Sequence, residues 1–198
     1  MSDFQMYLGM GMRHITDITA YDHIVFLLAL CGIYKLTDWK KVLILVSAFT
    51  IGHSITLILA TLDVITFSRG LVEMLIPVTI IITALFNVVS LERSSSDNTS
   101  KPKYGLALVF GLIHGMGFSS YLKMTIEKGD SVFQPLLAFN IGVEIGQVGI
   151  VLVILSLSYL MINKLRVGEK VWTIFVSGAA FGIALMLLVE LLLELSYQ

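Results

Sequence analysis

The chain has one cysteine, three prolines and few charges. Cys31 alone cannot form an intrachain disulfide and, set inside an apolar run, it reads as a small buried hydrophobe. Charged residues make up 14% of the 198, against roughly a quarter in a soluble domain. Their signs nearly cancel, at net −1, and no basic tract interleaved with aromatics points to nucleic acid. A basic region, an apolar core and a small-residue cleavage site are all missing at the N-terminus, so no removable signal peptide is expected. What fills the sequence instead is apolar: 57% hydrophobic residues and a mean hydropathy of +0.90. The lipid bilayer is therefore the first partner, and the expectation is an integral membrane protein.

A bilayer core about 30 Å thick needs roughly 20 apolar residues per helix. Six stretches qualify, near 18–35, 41–62, 70–90, 104–122, 132–162 and 171–195. Residues 4–13 are too short to span and carry Phe4, Met6, Tyr7, Met10 and Met12, which suits an interfacial helix. The fold class is thus all-α: a polytopic transmembrane bundle of about six spans plus an N-terminal interfacial helix, one domain over 1–198. The one strongly polar linker, about 90–103 with Ser94 to Ser100 at its centre, reads as a loop within that domain. No repeat between the halves stands out. Nine cationic residues (Lys35, Lys40, Lys41, Arg93, Lys101, Lys103, Lys164, Arg166 and Lys170) fall on one side and four (Arg13, Arg69, Lys123 and Lys128) on the other. That bias puts both termini outside, in a cell inner membrane.

Polar residues inside the spans carry the function. His14, Asp17, Asp22 and His23 stand at the entrance of the first span, His53 in the second, His114 in the fourth and Glu144 in the fifth. At about 1.5 Å per residue, the last three lie about 13 to 15 Å below the outer surface. Ionisable groups at that depth cost a few kcal/mol unless they meet a partner or a cavity. Helical spacing sets Thr50, His53 and Ser54 on one face, and Asn140, Glu144 and Gln147 on another. One buried histidine is as well explained by an interhelical hydrogen bond; the whole set on one side favours a metal centre. Imidazole with carboxylate suits a divalent transition-metal ion, be it zinc, nickel, copper or iron. The expected ligands are His14, Asp22, His23, His53, His114 and Glu144, supported by Asp17, Ser54, Asn140 and Gln147. On one continuous helix His14 and His23 would point apart, so they converge only if the helix starts near Asp17, a natural N-cap. Glu73 and Glu190 read as interfacial.

Four segments together resemble the HupE/UreJ membrane proteins: His14 to Phe26 with Tyr21-Asp22-His23, Phe49-Thr50-Ile51-Gly52-His53-Ser54, Phe110-Gly111-Leu112-Ile113-His114-Gly115, and Phe139 to Gln147. The gap between His14 and the Asp22-His23 pair is longer than in the family pattern. The resemblance implies a nickel or cobalt permease. Three functions stay open at this point: transport of a transition metal through an outer-leaflet His and carboxylate site; an intramembrane metal-dependent hydrolase in which Asp22 or Glu144 activates water with help from Ser54; and a metal sensor or structural subunit of a larger complex. Few polar groups mark an inner exit; Asn87, Ser156 and Ser158 are the clearest. The sequence is compatible with a homo-oligomer.

Overall fold

The computed structural model describes residues 2–91, 100–126 and 131–196, and no strand occurs among them. Eight α-helices do: α1 Asp3–Thr16, α2 Asp22–Cys31, α3 Trp39–Thr61, α4 Arg69–Ser90, α5 Ser100–Gly117, α6 Ser119–Thr125, α7 Phe133–Tyr159 and α8 Glu169–Ser196. Most of the polar linker, residues 92–99, lies outside the described residues. Four helical stretches, Leu36–Thr61, Arg69–Ser90, Phe133–Lys164 and Glu169–Ser196, are long and apolar enough to cross a membrane. A fifth crossing arises if α5 and α6, bent by 47° at their joint, count as one span.

The N-terminal third departs from the expected layout. A continuous span over 18–35 does not form; α2 has only ten residues. The segment expected to lie at the interface is instead a helix of the bundle. α1 opens on a capping box between Ser2 and Gln5 and buries Tyr7, Gly11 and Ile15. Its glycines explain the docking: a Cβ on Gly11 would overlap the Phe139 carbonyl, and one on Gly142 would overlap the Leu8 carbonyl, so only bare backbone allows α1 so close to α7. Met and aromatic side chains suit a membrane surface and a helix seam equally, and the glycines decide for the seam.

The same construction holds α3 to α5. A Cβ on Gly52 would overlap the Leu108 carbonyl, and one on Gly111 the Phe49 carbonyl. In both pairs each glycine meets the residue three before its partner glycine. The sequences behind them repeat too: Gly11-Met12-Arg13-His14 in α1 matches Gly111-Leu112-Ile113-His114 in α5, and Ala48-Phe49-Thr50-Ile51-Gly52 in α3 matches Ala138-Phe139-Asn140-Ile141-Gly142 in α7. A repeat is therefore present. It escapes a comparison at one fixed period because 100 residues separate the first two motifs and 90 the second two.

Contacts also fix direction. α1 runs parallel to α7 and α3 parallel to α5, whereas α3 and α7 are antiparallel, with Leu62 beside Val132, and Ser54 donating to Asn140. The matching helices of the two halves thus run in opposite senses, α1 against α5 and α3 against α7. Opposite ends of the bundle are called here the Asp3 end and the Lys35 end. At the latter, the Gly32 carbonyl closing α2 accepts from Trp172 Nε1 at 2.9 Å and Ser158 Oγ at 3.1 Å. Asn87 Nδ2 donates to the Ala29 carbonyl at 2.7 Å, so this residue ties α4 to α2.

Candidate metal centre

Because α1 stops at Thr16 and α2 starts at Asp22, the chain breaks between them, and that break brings the N-terminal ligands together. His14 sits in the last turn of α1, while Asp22 and His23 open α2. Asp17 does not cap α2. Its Oδ1 accepts from the backbone and hydroxyl of Thr19, at 2.8 and 2.7 Å, in a turn after α1, and Tyr21 takes the N-cap place. Convergence comes from the end of one helix meeting the start of the next, rather than from one helix starting at Asp17.

His53 comes from the middle of α3 and His114 from the last turns of α5. The ring centroids of His14 and His23 are 4.7 Å apart, His14 and His53 6.1 Å, His23 and His53 6.4 Å, and His23 and His114 5.3 Å. Ligand atoms of His14, His23 and His53 lie within 4.8 Å of one another, and so do those of Asp22, His23 and His114. His23 belongs to both triads. His23, His53 and His114 are buried, and His14 is half-buried.

Buried imidazole nitrogens normally find hydrogen bonds. Here His14 Nε2, His23 Nε2, both nitrogens of His53 and His114 Nδ1 are buried with no partner among the described residues. His23 Nδ1 faces Asp22 Oδ1 at 3.3 Å, which leaves Nε2 as its free lone pair. Four histidines thus hold unpartnered nitrogens toward one small volume, with a single carboxylate beside them. Neutral imidazole with carboxylate is the donor set of a borderline transition-metal ion. The α1 C-terminus brings the negative pole of its helix to this place and the α2 N-terminus the opposite pole, so the two helix ends offset each other.

The remaining expected residues stand on the α3–α7 seam and belong to neither triad. Glu144 Oε1 accepts from Ser47, Gln147 Oε1 from Thr50 and Asn140 Oδ1 from Ser54, each at 2.7 Å. Ser54 and Glu144 are therefore each engaged with one another's helix, and among the described residues Asp22 is the one carboxylate in the triads.

Two features were not legible in the sequence. Aromatic rings flank the histidines on both sides. Toward the Lys35 end, Phe26 and Phe49 are 4.8 Å apart and lie 4.9 and 5.2 Å from His114. Toward the Asp3 end, Phe118 and Phe139 stack at 4.8 Å, with Phe118 4.0 Å from His14. Phe49 and Phe139 occupy the same place in the repeated motif, and only the repeat could have signalled their shared role. The second feature is a cavity of about 230 Å³, whose lining includes Thr19, Asp22, Glu73, Pro77, Glu190 and Glu194. Glu73 and Glu190, near the ends of α4 and α8, thus line the same cavity as Asp22.

Fold and site define a helical membrane protein with a buried imidazole and carboxylate centre at a helix break. The chain belongs to the HupE/UreJ family: the family model described as HupE / UreJ protein matches residues 1–193, essentially the whole chain. Membership implies nickel or cobalt transport in general terms. No curated protein and no solved structure matches the chain.

Proposed function

We propose that the protein moves nickel or cobalt ions across the membrane, with the two triads as the place where the ion exchanges water for imidazole. The carrying observation is the set of unpartnered, buried histidine nitrogens at the α1–α2 break. A permanent structural site would close its coordination shell on one fixed set of ligands. Two triads sharing His23 offer an ion two overlapping positions instead.

The surrounding architecture supports the same reading. Halves of opposite direction with interrupted helices at the ligand site are the construction of secondary transporters. In that reading α1 with α2, and α5 with α6, are two interrupted crossings, and α3, α4, α7 and α8 complete six. The Lys and Arg distribution puts the Asp3 end outside. Ions then reach Asp22 from outside past Glu190 and Glu194, whose charges concentrate cations, and past Glu73, which Arg69 pairs at 2.7 Å. The exposed turn at 17–20 fits a water-filled approach, because non-helical backbone at membrane depth is not tolerated against lipid. The two aromatic layers separate the histidines from either side. The hydrolase reading has less support, since Ser54 and Glu144 are each spent on the α3–α7 seam.

Reconstitution into sealed vesicles tests the proposal. Ni²⁺ supplied outside should accumulate in the lumen over time and do so less in the His53→Ala, His114→Ala double variant. A wild-type protein that binds the ion tightly yet shows no time-dependent flux would overturn it.

A further inference from the structure

Thr79 lies on α4, a helix that supplies no ligand to either triad, and it is 2% exposed. Its hydroxyl oxygen stands 2.7 Å from the Ile76 carbonyl oxygen and 3.0 Å from His114 Nε2. A carbonyl can only accept, so an oxygen-to-oxygen approach that short holds the hydroxyl's single proton. Thr79 is left with lone pairs alone to offer the ring. His114 Nε2 is then the donor of the second bond, and a neutral imidazole carrying its proton there has its free lone pair on Nδ1. That nitrogen is buried with no partner, and His114 is the imidazole that joins Asp22 and His23 in the second triad. The other tautomer would bury an N–H on Nδ1 with nothing to accept it, while Nε2 and the Ile76 carbonyl competed for one proton.

We propose that Thr79 is a positioning residue for the metal centre: by accepting from His114 Nε2 it fixes the ring's tautomer and orientation and commits Nδ1 to the ion. The proposal rests on the metal-binding reading above. Asp22 acts in the same way on His23, with the nitrogens reversed, so the two histidines of the second triad present opposite ring atoms. Supporting partners of this kind hold ligating imidazoles in metal sites generally. Threonine in an apolar span gives no hint of the role in sequence; it follows from the bond to Ile76, which fixes where the one proton goes.

The full-length protein in detergent, with ¹⁵N-labelled histidine, provides the test. His114→Asn assigns the His114 signal, and the metal-free spectrum should show its proton on Nε2. Thr79→Val, which keeps shape and removes the acceptor, should disturb that signal and weaken Ni²⁺ binding ~10- to 100-fold. Thr79→Ser should restore both. A His114 proton on Nδ1 in the metal-free wild type overturns the proposal, as does a Thr79→Ser variant that loses as much affinity as Thr79→Val. Failure of the wild type to bind Ni²⁺ at all would instead sink the transport reading, and the metal-free spectrum tells the two failures apart.

Discussion

In the α1–α7 pair, Gly11 rests on the Phe139 carbonyl and Gly142 on that of Leu8; in the α3–α5 pair, Gly52 rests on Leu108 and Gly111 on Phe49. The two seams use the same contacts, but they carry different chemistry. His14 and His114 are counterparts, three residues after matching glycines, whereas His53 has Val143 as its counterpart on α7. The Asp22-His23 pair opening α2 finds no equivalent in α6, whose sequence is Ser119-Ser120-Tyr121-Leu122-Lys123-Met124-Thr125. Backbone-to-backbone packing tolerates no side chain at the crossing, so both seams keep their glycines; a ligand set needs only enough donors in one place, and three or four from unequal sources suffice. One pair therefore brings His14, the other brings His53 and His114, and α2 brings the residue that both triads share.

If the seams are equivalent, they should break equally. Gly11→Ala and Gly52→Ala should each cost at least the ~1–3 kcal/mol of an overpacked core, read as lost folded protein in detergent melting curves. Gly149→Ala, with nothing near its Cβ, should be tolerated. A stable Gly11→Ala protein beside an unstable Gly52→Ala one would end the equivalence. Unequal chemistry predicts unequal metal loss. His53→Ala with His114→Ala removes one ligand from each triad and should abolish Ni²⁺ binding in elemental analysis, while His14→Ala leaves Asp22, His23 and His114 intact and should retain part of it.

A subtler contrast concerns the aromatic layers. Phe49→Leu and Phe139→Leu keep apolar volume but remove the rings on opposite sides of the histidines. Each should raise downhill Ni²⁺ leak from loaded vesicles; leak raised by only one would assign the barrier to one side. The smallest effect is expected at Glu144→Gln, because the amide oxygen still accepts from Ser47. A loss of under ~1 kcal/mol in stability and unchanged metal content should follow. Metal lost from this variant would place Glu144 in the ion's path despite its bond to α3.

Much of the bundle could be read from the sequence because apolar runs of membrane length leave a chain few options. The helices α3, α4, α7 and α8 fall where such runs lie, with ends shifted by a few residues. His53 and His114 were legible as members of a polar cluster because an imidazole at that depth needs a partner, but that they fall in different triads, joined through His23, was not. The N-terminal region was harder, since a break between Thr16 and Asp22 looks, in hydropathy, like the start of one long span. Asn140, Gln147 and Glu144 share a helix face as expected, but a shared face does not say which neighbour it meets; here it meets Ser54, Thr50 and Ser47. Thr79 and the aromatic layers depend on distances between separate helices, which spacing along one helix cannot supply.

Trp172 and Ser158 on Gly32, with Asn87 on Ala29, pin α2 at the Lys35 end. From Gly32 it is nine residues, about 13.5 Å along the helix, to the histidine that both triads share. A tilt of about 10° at Gly32 would carry His23 about 2.4 Å sideways by the same helical dimensions. That displacement exceeds a metal–nitrogen bond of about 2.0–2.1 Å, so under the transport reading a tilt of α2 alone is enough to change which triad His23 completes.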